Sequence, residues 1–279
     1  MISIIYAGND KMFDGLIISA LSTIKHTSEP IGVFLLTMDL SDIDPRYKPI
    51  SERQRQYLEQ IYQSANMQNR VTLIDVGSLY REHLIESPNA QTGYTPYCFL
   101  RLFADRLPQL PDKVLYLDTD TVINSDIAPL YHTDIESYEY GAVLDYYGKW
   151  FMGYNYINSG VMLLNLKELK KTGLFSRAVS LCANKKLFLP DQTAIHKLTK
   201  RKLLLPGKYN EQKHYDKQDT VIQHFTKTIL WLPYFHTRNI KPWETERVHQ
   251  VLTTRYDDIL DEYHARKKQF EEINYDEYK

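Results

Sequence analysis

The chain has 279 residues and a formal net charge of −1, with 43% hydrophobic and 25% charged residues. Such a length and composition are typical of one large α/β domain, alone or with a small appendage, and allow a sizeable core. The near-zero net charge gives no support to nucleic-acid binding as the main task, because proteins that bind a polyanion usually carry a basic surface.

The two cysteines and the N-terminus indicate a cellular location. Cys98 and Cys182 are too few for a disulfide framework, which predicts a reducing compartment, and neither has a matching His motif nearby that would indicate a nucleophile. Residues 1–6 read as a strand and lack the basic region and long apolar run of a signal peptide. No stretch approaches the roughly 18 apolar residues that span a bilayer. We expect a cytoplasmic protein. An alternative form of this prediction is a cytoplasmic protein that binds the membrane surface as a peripheral protein.

Short apolar runs alternate with helical patterns along the first 166 residues. In chain order, the pattern predicts strand Ile2–Tyr6, helix Leu16–His26, strand Gly32–Met38, helix Ser51–Met67, strand Val71–Val76, helix Tyr97–Leu107 and strands Val114–Leu117, Gly141–Leu144 and Gly160–Leu166. This rhythm predicts parallel βαβ units, and therefore an α/β fold with a sheet covered on both faces. Ligands of such sheets lie outside the carboxyl ends of the strands, where this chain places the polar residues Asn9, Asp10, Asp118, Asp120, Asp145 and Asn158.

The chain is more helical after residue 167. The pattern predicts helices Glu168–Asn184 and Asp191–Lys200, a late strand Thr220–Phe225 and a C-terminal amphipathic helix Tyr256–Tyr275. We expect this last helix to dock on the body of the protein, with contact to a second copy or to a membrane surface as the alternatives.

Two carboxylates follow the strand Val114–Leu117, in the sequence Asp118-Thr119-Asp120. In an extended chain, residues i and i+2 point to the same side, so Asp118 and Asp120 can converge on one point. Their charges would repel unless a cation lies between them. Oxygen ligands suit Mg²⁺ or Mn²⁺, which can also grip a diphosphate. The sequence therefore predicts a divalent metal site at this strand end.

The same stretch matches a second motif, the D-x-D-x-T of the haloacid dehalogenase-like phosphatases. There the first Asp would attack a phosphate and the second would act as acid and base. That family usually carries the motif on its first strand and needs a later acidic motif near a strand end. Here the pair follows the fourth predicted strand or a later one, and Asp257-Asp258 lies in the charged helical tail. The phosphatase stays an alternative with less support.

A wider set of motifs resembles glycosyltransferase family 8, which includes bacterial lipopolysaccharide galactosyl- and glucosyltransferases and is related to glycogenin. The resemblance extends from residue 2 to about residue 243 and is carried by Asn9-Asp10, Arg101, Asp118-Thr119-Asp120, Asn158-Ser159-Gly160-Val161, Asp191-Gln192, His224 and Lys241-Pro242-Trp243. The order and spacing of these motifs are more specific than any one of them.

The resemblance implies a GT-A fold, with a Rossmann-like, mostly parallel sheet flanked by helices. Residues 1–250 would form the glycosyltransferase domain, with a nucleotide-binding part at about 1–125 and an acceptor-binding part at about 126–250. Residues 251–279 would form a C-terminal helical tail. Residues 81–95, which contain Pro88, Asn89 and Gly93, are our candidate for a lid over the donor.

The resemblance also assigns roles to single residues. Asp118 and Asp120 would hold Mn²⁺ or Mg²⁺, with His224 as the third ligand. The remaining UDP-sugar contacts would come from Ala7, Asn9 and Asp10 at the uracil and ribose, Lys241 at the diphosphate, Arg101 at the sugar or diphosphate, and Thr119, Asn158 and Ser159. The catalytic neighbours of the reacting carbon would be Asp145, Asp191 and Gln192.

The chain departs from the family pattern between the histidine and the lysine. Family members usually keep the His and the Lys-Pro-Trp within a few residues, whereas here residues 226–240 separate His224 from Lys241. His236 lies closer to Lys241 and is a second candidate ligand. We favour His224, because it follows a predicted strand and precedes an aromatic residue, as in the family.

The implied reaction moves a hexose, galactose or glucose, from a UDP-hexose to a glycan, glycolipid or glycoprotein acceptor, with retention of the anomeric configuration. No nucleic acid is expected as a partner, and a homo-oligomer remains open. A third class of hypothesis is a relative that binds a UDP-sugar without turnover. All the expected polar positions are filled, which argues against this non-catalytic alternative.

Overall fold

Eleven strands are present among residues 1–90, 95–230 and 236–276, the part of the chain that the computed structural model describes. In chain order they are β1 (Ile2–Ala7), β2 (Ile31–Thr37), β3 (Arg70–Asp75), β4 (Lys113–Leu117), β5 (Thr121–Ile123), β6 (Tyr140–Leu144), β7 (Ile157–Asn165), β8 (Lys202–Leu204), β9 (Ile222–His224), β10 (Thr228–Leu230) and β11 (His236–Arg238). Seven of them form one sheet in the order β3-β2-β1-β4-β7-β6-β8, while β5 pairs with β9 and β10 pairs with β11.

The central sheet is mostly parallel, as predicted. Strands β3, β2, β1 and β4 run in parallel, and β6 runs parallel to β8. Only β7 is reversed, because it pairs in antiparallel fashion with both β4 and β6. The amino end of β7 therefore lies at the same edge of the sheet as the carboxyl ends of β1 and β4.

Ten α-helices occur in the same described residues. They are α1 (Phe13–His26), α2 (Glu52–Ala65), α3 (Gly77–Leu84), α4 (Ala128–Tyr131), α5 (Gly148–Phe151), α6 (Leu166–Thr172), α7 (Leu174–Asn184), α8 (Pro190–Leu198), α9 (Thr245–Val251) and α10 (Asp257–Asp276). Helix α2 begins at a capping box, in which the Ser51 side chain accepts from the Gln54 backbone and the Gln54 side chain accepts from the Ser51 backbone. None of the helices described is both long and apolar enough to cross a membrane.

Alternate side chains of the central strands enter two apolar layers. In β4, Leu115 and Leu117 join the layer that contains α1, α2 and α10, while Val114 and Tyr116 join the layer that contains α7 and α8. All four side chains are fully or almost fully buried. A strand that is apolar on both faces needs helices on both faces, which is why the predicted continuous apolar runs became the centre of the sheet.

The structure corrects three boundaries of the prediction. Residues 96–106 form a 3₁₀ helix rather than an α-helix. The predicted helix Glu168–Asn184 is two helices, since Gly173 between them adopts φ 64°, a left-handed conformation that glycine favours. Strand β7 begins at Ile157 rather than at the predicted Gly160, so Asn158 and Ser159 lie inside it.

The candidate lid is partly anchored. Helix α3 already includes the part of this segment up to Leu84. Asn89 is fully buried, and its side chain donates to the carbonyls of Cys182 and Lys185 and accepts from the Leu187 amide. Residues 91–94 lie outside the described part of the chain, so the lid stays a prediction.

Helix α10 docks on the body of the protein, as expected. The Phe270 ring lies 4.7 Å from the Phe13 ring and 5.0 Å from the Tyr57 ring, with the Arg53 guanidinium 4.0 Å from its centre. The Tyr57 hydroxyl donates to the Arg266 carbonyl at 2.6 Å. The apolar side of this helix is thus already used within the chain.

Replacing Phe270 with alanine should lower the free energy of unfolding by about 2 kcal/mol, less than for a fully buried ring because Phe270 is half-buried. Urea unfolding would measure the change, with Lys268→Ala as control because the Lys268 side chain is 78% exposed. Equal stability of the two variants would contradict the docking of α10.

Candidate active site

The acidic pair lies at the end of β4, beside a histidine from a distant part of the chain. His224 belongs to β9, and β9 pairs with β5, which follows the pair directly and sets Thr121 opposite His224. The His224 Nε2 atom is 3.1 Å from an Asp120 oxygen and 3.7 Å from an Asp118 oxygen. One ligand atom from each of the three residues lies within 4.8 Å of the others, so they can hold one metal ion.

Each carboxylate of the pair keeps one oxygen towards His224. The Oδ1 atom of Asp118 accepts hydrogen bonds from Arg101 at 2.9 Å and from the Tyr116 hydroxyl at 2.8 Å, while its Oδ2 atom faces His224. The Oδ2 atom of Asp120 accepts from the Lys241 ammonium group, while its Oδ1 atom faces His224. The oxygens that point inward are the two that a metal would need.

The His224 ring is oriented by Asn210. The His224 Nδ1 atom lies 3.1 Å from the Asn210 side-chain oxygen, and the Asn210 amide group donates to Asn158 at 2.9 Å. An acceptor at Nδ1 places a ring proton there, so Nε2, which faces the carboxylates, is the nitrogen through which His224 can bind a metal.

Gly160, on β7, leaves the space that His224 occupies. A Cβ atom at this position would lie 2.1 Å from His224 Cε1 and 2.8 Å from Asp118 Oδ2. The Asp118 amide also donates to the Gly160 carbonyl at 2.7 Å. Glycine is therefore needed here for close approach rather than for an unusual backbone conformation.

Lys241 reaches the pair in spite of the long separation from His224 in sequence. Strands β10 and β11 form an antiparallel hairpin that returns the chain, and the Lys241 ammonium group donates to Asp120 and to the Phe225 carbonyl. Burial would raise the pKa of Asp120, but Lys241 and His224 outweigh that effect and lower it. The structure brings His224, not His236, to the pair. Trp231, Tyr234 and Phe235 of this insertion lie outside the described residues.

Arg101 is a buried cation that holds three elements together. It is 4% exposed, lies 4.1 Å from the Tyr116 ring centre, and donates to Asp118 and to the Ser159 carbonyl. Its Nε atom is 3.3 Å from an Asp191 oxygen. Burial opposes the charge of Arg101, but the surrounding tyrosine and carboxylates raise its pKa. In the described part of the chain, the carboxylates that pair with Arg101 are those of Asp118 and Asp191.

A hydrogen-bonded group of side chains lies beyond Arg101. Gln192 accepts from the Ser159 amide at 3.0 Å and donates to Asp145 at 3.3 Å, and Asn158 donates to Asp145 at 3.0 Å. The other Asp145 oxygen accepts from the amides of Tyr147 and Gly148. With these four donors Asp145 is well satisfied, so its position suits orienting Gln192 and Asn158 rather than acting as a free base.

Asp191 is the least satisfied carboxylate of the site. It is 6% exposed, and burial raises its pKa, against the opposing effect of Arg101. The residue two positions earlier, Leu189, adopts φ 47°, the only positive φ of a non-glycine residue in the described chain. Such strain is held in place by the surrounding structure and is common at functional sites. The chain turns at Leu189, so that Asp191 and Gln192 lie in the first turn of α8, which begins at Pro190.

A cleft of about 320 Å³ opens beside the acidic pair. Its lining includes Ala7, Arg101, Thr119 and Lys241, together with Gly8, Met12, Thr95, Tyr97, Cys98, Tyr116, Asp118, Asp120 and Trp243. Asn9 and Asp10 follow Ala7 but are not part of this lining. Among the described residues, each has a buried side-chain oxygen without a hydrogen-bond partner, and the Asn9 amide group donates to the Arg46 carbonyl.

The charges around the cleft favour the binding of a metal cation first and of an anionic group after it. Asp118, Asp120 and Asp191 contribute three negative charges, and Arg101 and Lys241 contribute two positive charges. With a neutral histidine the net charge is −1, which a divalent ion changes to +1. A diphosphate would then meet a positive site.

The sequence pattern of the family described as Glycosyl transferase family 8 matches residues 3–247. The chain belongs to this family. The match covers the acidic pair, Arg101, His224 and Lys241, and it leaves the phosphatase alternative without support.

Two curated relatives illustrate the range of the family. The chain is 32% identical to glycosyltransferase GlyA of Streptococcus pneumoniae over 108 residues, which cover 38% of this chain and 15% of that protein. It is also 32% identical to a lipopolysaccharide 1,2-glucosyltransferase of Escherichia coli K12 over 164 residues, which cover 52% of this chain and 48% of that protein. The chain thus spans about half or less of the length of these relatives.

Solved structures share the fold. The galactosyltransferase LgtC, in complex with donor and acceptor sugar analogues, matches with a TM-score of 0.70 at 19% identity, over 94% of this chain and 96% of that one. The bifunctional glycosyltransferase WbbM matches with a TM-score of 0.69 at 17% identity, over 95% of this chain and 51% of that one. The fold is the predicted GT-A fold.

Two functional neighbours were absent from the sequence prediction. Tyr116 contacts both Arg101 and Asp118, and Asn210 orients His224. Tyr116 could have been found, because it is the polar side chain within the apolar run before Asp118 and lies two residues from it. Asn210 carried no signal, since it follows a three-residue 3₁₀ helix in an irregular segment.

Replacing Gly160 with alanine should weaken Mn²⁺ binding about tenfold or more, because the new methyl group displaces His224 from the carboxylates. Electron paramagnetic resonance of free Mn²⁺ would measure the affinity. Gly207→Ala is the matched control, since a Cβ atom there meets nothing within 4 Å. Equal Mn²⁺ affinity in both variants would contradict His224 as a ligand.

Proposed function

We propose that the protein is a retaining, metal-dependent transferase that moves a hexose, galactose or glucose, from a UDP-sugar to a saccharide acceptor. The observation that carries the proposal is the group of Asp118, Asp120 and His224 with Lys241 beside it, at the edge of a cleft. Carboxylate oxygens and one imidazole suit Mn²⁺ or Mg²⁺. When bound, that ion would neutralise charge on the two phosphates of the departing UDP.

Different side chains at the cleft would contact different parts of the UDP-sugar donor. Ala7 and Thr119 would contact the nucleoside, and Lys241 would move from Asp120 to the diphosphate as UDP binds. Asn9 and Asp10 remain candidates for the uracil and ribose, because each has an unpaired buried oxygen. Arg101 would hold Asp118 in place and approach the diphosphate or sugar from the buried side.

The sugar would lie towards Asp145, Asn158, Ser159, Asp191 and Gln192. A same-face reaction fits these contacts, because Asp145 already accepts four hydrogen bonds and Asp191 lies against Arg101. The bond between the anomeric carbon and the diphosphate would break as the acceptor oxygen bonds to that carbon from the same side. The acceptor proton would pass to the departing phosphate, and Lys241 would stabilise the negative charge.

The relatives support the donor and acceptor classes. LgtC was solved with donor and acceptor sugar analogues, and the Escherichia coli relative is a lipopolysaccharide glucosyltransferase. By this likeness we extend the proposal to the division of residues 1–250 into a nucleotide-binding part up to about residue 125 and an acceptor-binding part after it. A glycan or glycolipid would be the acceptor, and the cytoplasmic location and membrane contact stay predictions.

Asp120→Asn should reduce UDP release from UDP-galactose or UDP-glucose by at least about 100-fold, because it removes the negative charge of one metal ligand. A chelator should stop the release by the unaltered protein, and Mn²⁺ should restore it. Asp134→Asn is the control, as Asp134 is an exposed carboxylate outside the cleft.

Two results would contradict the proposal. Release that persists without metal in Asp120→Asn would remove the role of the acidic pair. UDP binding without turnover, for every UDP-sugar and with saccharide acceptors present, would favour the non-catalytic alternative.

A further inference from the structure

Two large aromatic side chains stand exposed on the short helix α5, which begins three residues after Asp145 of the candidate active site. Trp150 is 77% exposed and Phe151 is 71% exposed. Two large aromatic rings side by side form an apolar patch in contact with water, and such patches commonly mark a binding site. With Tyr146, Tyr147, Lys213 and Ile229 the two rings line a hollow of about 280 Å³, which we call the aromatic pocket.

The aromatic pocket is held rigidly beside the group that would contact the donor sugar. Asp145 accepts from the Gly148 amide at 2.6 Å with one oxygen, and from Asn158 and Gln192 with the other. A Cβ atom on Gly148 would lie 2.4 Å from the Tyr156 ring and 2.9 Å from Asp145, so only glycine allows α5 to begin this close. The Asp145 carboxylate therefore holds both the start of α5 and the side chains of Asn158 and Gln192, which would contact the donor sugar.

The lining of the aromatic pocket comes from three segments of the proposed acceptor-binding part, namely residues 146–151, Lys213 and Ile229. The Tyr147 hydroxyl donates to the Ile229 carbonyl at 3.0 Å, which joins α5 to the β10–β11 hairpin. The Tyr146 and Tyr147 rings meet edge to face with centres 4.9 Å apart. Such rings offer flat apolar faces with hydroxyl groups at their edges, a combination that suits the apolar faces and hydroxyls of a pyranose ring.

Lys213 in the lining, and Lys149 near it, bring positive charge to the aromatic pocket. The Lys213 ammonium group lies 2.8 Å from the Tyr146 hydroxyl and 4.6 Å from its ring centre, and that of Lys149 lies 5.4 Å from the same ring. In the described part of the chain, neither lysine forms an ion pair with a carboxylate. The charge that would complement the pocket is therefore negative, and it must come from the ligand.

We propose that the aromatic pocket binds the acceptor, specifically an acceptor saccharide with an anionic substituent, such as a carboxylate or phosphate. The sugar ring stacks on Trp150 and Phe151, and its anionic group meets Lys213. The inference rests on the proposed transferase function and adds the acceptor class. An anionic membrane surface would also suit exposed aromatics and lysines, but the concave shape of the aromatic pocket and its link to Asp145 favour a single sugar.

The test compares methyl glucoside with methyl glucuronoside, which differ in one carboxylate, by saturation-transfer NMR titration on the whole chain. The unaltered protein should bind the glucuronoside about threefold more tightly or better. The double variant Trp150→Ala and Phe151→Ala should bind both sugars about tenfold more weakly, since it removes both stacking rings. Lys213→Met should lose the preference for the charged sugar and keep neutral binding.

Matched controls separate this proposal from the transferase function. Phe188→Ala removes an aromatic ring that is 66% exposed, and Lys208→Met removes a lysine; neither residue lines the aromatic pocket. Both controls should bind the sugars as the unaltered protein does. UDP release from UDP-glucose in the absence of acceptor should be unchanged in all pocket variants, because none of them alters the acidic pair.

Three results would overturn the proposal. The first is that neither sugar binds the unaltered protein. The second is that the double variant binds both sugars as Phe188→Ala does, or that Lys213→Met keeps the charge preference. The third is that the double variant loses sedimentation with phosphatidylglycerol vesicles while sugar binding is unchanged, which would assign the surface to a membrane instead.

Discussion

The repulsion between two neighbouring carboxylates is the constraint around which this structure is arranged. Asp118 and Asp120 emerge together after the buried residues 114–117 of β4, with their side chains 29% and 13% exposed, so water screens their charges only in part. The chain answers with Arg101 on one carboxylate, Lys241 on the other and His224 between them. Each of these three residues comes from a different segment of the chain. Their contacts with the acidic pair therefore also hold the 3₁₀ helix at 96–106, the β5–β9 pair and the β10–β11 hairpin close to the end of β4.

The central sheet could be predicted because its strands are apolar on both faces and separated by helical patterns. The short strands could not, since β5, β8, β10 and β11 have three residues each and too little pattern to detect. The reversal of β7 was also missed. It matters for function, because it carries Asn158 and Gly160 to the active edge at an amino end rather than a carboxyl end.

The sequence predicted the metal ligands of the candidate site, but not the contacts that orient those ligands. Asp118 and Asp120 followed from the alternation of side chains along a strand, and His224 from the family resemblance. Gly160 belongs to a motif of the family resemblance, but its role beside His224, like that of Asn210, depends on a contact between distant segments that no local pattern shows. The route of Lys241 back to Asp120 was likewise hidden by the inserted hairpin. Local chemistry can be read from sequence, while close approach between elements requires coordinates.

The most direct test of the central claim is anomalous diffraction at the manganese absorption edge, from crystals grown with Mn²⁺ and UDP. The account predicts one anomalous peak within about 2.5 Å of an oxygen of Asp118, an oxygen of Asp120 and the Nε2 atom of His224, with Lys241 turned to the diphosphate. A peak bound elsewhere, or none while UDP is present with Lys241 still on Asp120, would contradict it.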